Sequence, residues 1–124
     1  MLTPEIIKGK LFSFHNSAHS LHLDTRSFAE HKALEMLYTD LVTFKDELCE
    51  IIMGYQNGKR IGKFRLDEVP TYSQEAVTAL VKEGLKFSTE LEEWAEDKGY
   101  CDVENTAQAL SGLFAKVQYL LTLS

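Results

Sequence analysis

The chain has 124 residues, 44% of them hydrophobic, two prolines, seven glycines and a formal net charge of −6. That length without a composition break predicts one domain over 1–124. The acidic balance, with no basic tail, argues against a primary nucleic-acid binder, which neutralises phosphates with clustered Lys and Arg. No apolar run approaches the ~20 residues that span a bilayer, so no membrane partner is expected. Met1-Leu2-Thr3-Pro4-Glu5 lacks a secretory signal pattern. Cys49 and Cys101 show neither metal-type spacing nor a disulfide framework. Together these predict a reduced protein of the cytoplasm.

In chain order, Thr3-Pro4-Glu5 predicts a helix start, with Thr3 as cap, Pro4 at the first helical position and Glu5 at the positive end of the dipole. Ile7, Leu11, Phe14, Ala18 and Leu21 follow as its seam, and the helix ends near Asp24-Thr25. Ser27-Phe28-Ala29-Glu30 reads as a capping box for a second helix. Its seam is Leu34, Leu37, Leu41, Phe44, Leu48, Ile51 and Tyr55, and Gln56-Asn57-Gly58 stops it. Residues 57–72 form the long connection, made basic by Lys59, Arg60, Lys63 and Arg65 and read as a solvated loop. Fully extended it reaches ~50 Å, so a crossover along a bundle and a short hairpin return are both allowed.

A third helix starts at Pro70-Thr71-Tyr72-Ser73-Gln74, capped by Thr71 or Ser73. It buries Val77, Leu80, Gly84, Leu91 and Trp94 and ends at Lys98-Gly99. Gly84 in mid-helix points to close packing, at about 1 kcal/mol against Ala. Asp102 is the expected cap of a fourth helix with seam Val103, Ala107, Leu110, Phe114, Val117 and Leu121. Four amphipathic helices with narrow apolar stripes predict an all-α four-helix bundle. Cys49 reads as a small buried residue, Trp94 as core, and Glu90 to Asp97 as a solvated acidic face.

All four histidines, His15, His19, His22 and His31, lie within seventeen residues, and carboxylates follow at helical spacing. Imidazole beside carboxylate is ligand chemistry for iron, zinc and manganese. His15 and His19 (i, i+4) are one turn apart, as are His19 and His22 (i, i+3), so either pair could grip one ion. His31 with Glu35 and Asp46 with Glu50 form similar pairs on the second helix. His31 and Asp46 are ~22 Å apart along that helix at 1.5 Å per residue and cannot hold one ion within a chain. A two-fold axis across antiparallel second helices would bring Asp46 and Glu50 of one chain towards His19 and His31 of another.

Ala18-His19, Phe28, His31 and Asp46-x-x-x-Glu50 resemble the mini-ferritins, the DNA-binding proteins from starved cells (Dps). Asp102-Val-Glu-Asn-Thr-Ala107 is similar to the start of that family's last helix, and the resemblance runs from about residue 10 to the end. It implies a ferritin-like bundle with iron ligands His19, His31, Asp46 and Glu50, shared between subunits. It also implies ferroxidase activity, iron sequestration and protection from oxidative stress. The implied assembly is a homo-oligomer, at least a dimer and at most a cage. Iron is the implied metal, with zinc or manganese as alternatives, and no catalytic residue is implied beyond the ligands. His15, His22 and Glu35 are additional ligand candidates. Ser20 stands where the family usually has Trp, and without the family's basic tail direct DNA binding is not supported. Two other readings are a non-enzymatic ferritin-like assembly or binding module, and a mononuclear His-rich bundle using His15, His19 and His22.

Overall fold

The computed structural model describes residues 1–123. It contains four helices, α1 (Pro4–Asp24), α2 (Phe28–Tyr55), α3 (Gln74–Lys98) and α4 (Cys101–Leu121). The predicted starts of the first three have local causes. Thr3, Ser27 and Ser73 sit in extended backbone, and their hydroxyls accept from the N–H groups of Ile6, Glu30 and Ala76. Each satisfies a donor that a helix start leaves unpaired. At the other ends, Asn57 and Gly58 turn left-handed after α2, and Gly99 (φ 74°) does so after α3.

Two details depart from expectation. The capping box at Ser27 is half formed, because the Ser27 N–H donates to Thr25 Oγ1 while the Glu30 carboxylate faces elsewhere. Asp102 does not cap α4. The chain reverses from α3 in two residues, so α4 begins at Cys101 with Tyr100 at the cap position and no side-chain cap. Asp102, in the first turn, accepts a 2.9 Å hydrogen bond from the Tyr55 hydroxyl.

α1 packs on α2 and α3, and α4 also packs on α2 and α3, which leaves α1/α4 and α2/α3 as the diagonals. The connection between α2 and α3 takes the long route. Lys8 Nζ donates to the Gly62 carbonyl, Phe64 packs tilted against Phe12 at 4.8 Å, and the Asp67 N–H donates to Ser13 Oγ at 2.8 Å. Tyr72 then reaches Glu30 at the far end. The crossover thus follows α1 from its first turns to the α1–α2 turn. α3 therefore starts at the same end as α2 and runs parallel to it, and every adjacent pair of helices is antiparallel.

The predicted seams of α1 and α4 are buried, apart from Leu121, which is half-buried. In α2 the buried set is Ala33, Leu34, Leu37, Leu41, Leu48, Cys49 and Ile52, while Phe44, Ile51 and Tyr55 are only half-buried. In α3, Val81, Phe87, Ser88 and Ala95 join the core, and Trp94 is half-buried at its edge. Each helix faces two neighbours, so its apolar stripe is wider than a single seam.

Two glycines mark close approaches. A Cβ at Gly84 would lie inside the Phe114 ring, and one at Gly9 would collide with the Arg65 carbonyl of the crossover. Phe114 also meets Phe14 edge-on at 5.5 Å, so its ring has little room to retreat.

The far end of the crossover is tied by Glu30, only 5% exposed. Its carboxylate accepts from Thr25 Oγ1 at 2.6 Å and from the Tyr72 hydroxyl. That bond raises the Tyr72 pKa, because ionising the phenol would lose it and set two anions together. The contribution is fully present below the unfolded tyrosine value of about 10 and is lost as pH rises through the higher folded value.

Gly84→Ala should lower stability by ~1–3 kcal/mol through overpacking, despite the better helix propensity. Gly112→Ala, with open space around it, should gain up to ~1 kcal/mol; urea unfolding of both variants checks the contrast. Tyr72→Phe should cost ~1 kcal/mol at neutral pH. Its stability should also fall less steeply than wild type above pH 10 in a pH series of the same unfolding curves.

Candidate functional site

The three-residue turn between α1 and α2 brings the histidines together. His22, only 6% exposed, has its Nδ1 2.9 Å from the His31 carbonyl, and His31 Nδ1 lies 2.9 Å from the His22 carbonyl. A carbonyl only accepts, so both rings carry the proton on Nδ1. This leaves each Nε2 with its lone pair whenever the imidazole is neutral. The two rings stack at 3.8 Å with planes 22° apart. Imidazole lone pairs lie in the ring plane, so rings stacked in this way do not converge on one ion between them.

Tyr38, on α2, organises the remaining imidazoles. His19 stacks on it at 4.5 Å, His22 meets it edge-on at 5.0 Å, and His15 does so at 6.1 Å. His15 and His19 are 6.2 Å apart and His19 and His22 6.1 Å, both centre to centre. His19 is exposed and His15 and His31 half-buried. Sequence reasoning missed Tyr38. Its spacing of seven from His31 puts both on one side of α2 and was the available signal.

Charge around this cluster is uneven. Burial lowers the His15 pKa, and the Lys45 ammonium pushes the same way, against a hydrogen bond with Asn16. Glu35 is held below its ordinary value, first by its hydrogen bond from Lys32 (3.1 Å) and the Lys32 charge, with small contributions from His22 and His31. Glu35 thus carries its charge on the same side of α2 as His31, one turn on. Asp46 and Glu50 are exposed further along α2, where with Lys8 and Lys45 they surround Cys49. Burial pushes the Cys49 thiol up. The chain does not bring Asp46 and Glu50 to His19 and His31. Among the described residues, no group of three or more His, Cys, Asp or Glu side chains is placed to hold a metal ion.

A second polar cluster closes the opposite end of the bundle. Tyr55 stacks on Tyr100 at 4.3 Å and lies 3.7 Å from Cys101 Sγ. Its pKa is pushed up to about 12 by the hydrogen bonds to Cys101 and Asp102.

Residues 22–121 match a family of unknown function, DUF5856. The chain is also 24% identical over 106 residues to the "uncharacterized 14.6 kDa protein in mobD-ri intergenic region" of Enterobacteria phage T4, a match covering 85% of this chain and 77% of that protein. No solved structure matches. Among the described residues no helix is long and apolar enough to cross a membrane.

A histidine with a lowered folded pKa opposes folding in acid. Its penalty is absent at high pH, begins as pH falls through the unfolded value of 6.5, and is complete below the lower folded value. His15→Asn should therefore gain on wild type in unfolding stability as pH drops below 6.5, with a constant difference above pH 8. An unchanged difference across that range would remove His15 as the titrating group.

Proposed function

The chain belongs to DUF5856, and we propose that it is a ferritin-like, Dps-like bundle that binds iron at a site between two copies. There it oxidises Fe(II) and sequesters the product, in the cytoplasm, as a homo-oligomer. The observation that carries this reading is the disposition of the four named side chains. His19 is exposed and stacks on Tyr38, His31 is half-buried against His22, and Asp46 and Glu50 are exposed further along α2. Asp46 lies within ~60° of His31 around the helix axis at 100° per residue. On this reading the two pairs are half-sites that a second copy would complete.

The donor set fits the ion only across such an interface. Neutral imidazoles and two carboxylates offset the charge of Fe(II) and suit iron, zinc or manganese, and they leave coordination positions open for an oxidant. The Nδ1–H bond of His31 to the His22 carbonyl is the outer-sphere contact that aims Nε2 of a metal-binding histidine. Ferrous ion is the substrate, giving up one electron to oxygen or peroxide. Glu35, one turn beyond His31 on α2, is the carboxylate that would relay an ion or proton.

One observation favours a second reading. The reciprocal His22–His31 bonds and the 3.8 Å stack already explain both residues as a staple across the α1–α2 turn. On that account the chain is a non-enzymatic assembly or binding module. A mononuclear site on His15, His19 and His22 has less support, because His22 is buried against His31.

Anaerobic Fe(II) titration followed by oxygen or peroxide separates the readings. The metal reading expects saturable oxidation above the buffer rate, lowered at least ~10-fold by His31→Ala or Asp46→Ala. Mixing those two variants should then restore activity, because each mixed dimer retains one intact site. Oxidation no faster than buffer would overturn the metal-oxidation reading.

A further inference from the structure

A cavity of about 380 Å³ opens between the crossover and the first half of α1. It lies away from the imidazole cluster and has a structural cause. The crossover backbone rests on Gly9 through the Arg65 carbonyl, and Phe64 turns back onto Phe12 beneath the Lys8 ammonium. The space beside Phe64 is left unfilled above Ile6, which is 43% exposed. The walls are therefore mainly Ile6, Phe64 and the bare backbone at Gly9. This volume falls within the range of roughly 300–1,000 Å³ that small-molecule sites occupy.

The mouth is charged. Lys10 is neutralised by Asp67 at 3.0 Å, whereas Lys63 and Arg65 line the same cavity without an ion pair among the described residues. They belong to the basic stretch of a chain whose net charge is −6. Two unpaired cations over an apolar floor select a ligand with an anionic head and an apolar tail. Glu5 at the rim opposes a doubly charged head, which favours a carboxylate over a phosphate ester.

We propose that this cavity binds a small amphipathic carboxylate, with its tail against Ile6 and Phe64 and its head on Arg65 and Lys63. The site is independent of iron. Arg65 supplies the planar fork that matches a carboxylate, and Lys63 supplies a second, mobile charge.

Calorimetric titration of the full chain with decanoate, decanol and decylammonium tests the assignment, with amide NMR shifts to locate binding. Decanoate should bind saturably at one per chain, decanol roughly tenfold more weakly in the absence of charge-assisted hydrogen bonds, and decylammonium not measurably. Shifts should centre on residues 5–10 and 62–67. The double variant Lys63→Gln/Arg65→Gln should bind decanoate no better than decanol, and Ile6→Trp should abolish binding of both by filling the cavity. The glutamine variant alters exposed side chains, so it decides the matter should Ile6→Trp fail to fold. Equal affinity for the three probes, shifts centred elsewhere, or no saturable binding of decanoate would overturn the assignment.

Discussion

The crossover has to travel the length of the bundle on the surface of one helix, and much of the rest of the structure depends on how it is held there. Its 18 residues, 56–73, contain no helix or strand, so beyond the first few, whose N–H groups bond back to the end of α2 and to Gln56, their backbone polar groups must find partners on α1 or in water. Gly9 lets the crossover approach α1, and Ser13 supplies an acceptor midway. At the far end the buried carboxylate of Glu30 receives two hydroxyl donors, one from the α1–α2 turn and one from the end of the crossover. A buried carboxylate without such donors would carry a large desolvation cost. Its partners therefore specify where α3 begins, and so the direction of the second half of the bundle.

The same α1–α2 turn sets the imidazole cluster. Once the two helices reverse in three residues, His22 and His31 face one another, and each donates to the other's carbonyl. Stacked and edge-on contacts with Tyr38 extend the cluster one turn at a time along α1. The cluster therefore follows directly from helix period and turn length. The carboxylates Asp46 and Glu50, by contrast, stand where α2 has moved well beyond the turn, and helix geometry alone separates them from the histidines.

Much of this was legible in the sequence, for identifiable reasons. Helix starts were readable because a Thr or Ser before an amphipathic run has one dominant use, and Gly84 was readable as a close contact because it falls on the buried seam of its helix, unlike Gly112, which has open space around it. The start of α4 was misread because Asp102 looks like a cap, whereas the tightness of the preceding turn and the pull of Tyr55 are tertiary facts. The route of the crossover depends on pairs such as Lys10–Asp67 and Glu30–Tyr72, more than forty residues apart, and no local pattern records them. The role of Gly9 belongs to the same class: one helix shows only a missing side chain, and the reason for it lies on another segment. Tyr38 was missed for a different reason, since an aromatic residue at helical spacing reads as core until its imidazole neighbours are known.

Connectivity also has a kinetic meaning. α1 with α2, and α3 with α4, are helical hairpins closed by turns of three and two residues, so their pairing costs little loop entropy and can form early. Joining the hairpins requires the crossover to find α1 across a long sequence separation. Assembly therefore divides into two fast local units and one slower docking step, and native-state opening should follow the same division. The seam between α1 and α3, bordered by the crossover, is the natural place for the molecule to part while each hairpin remains intact.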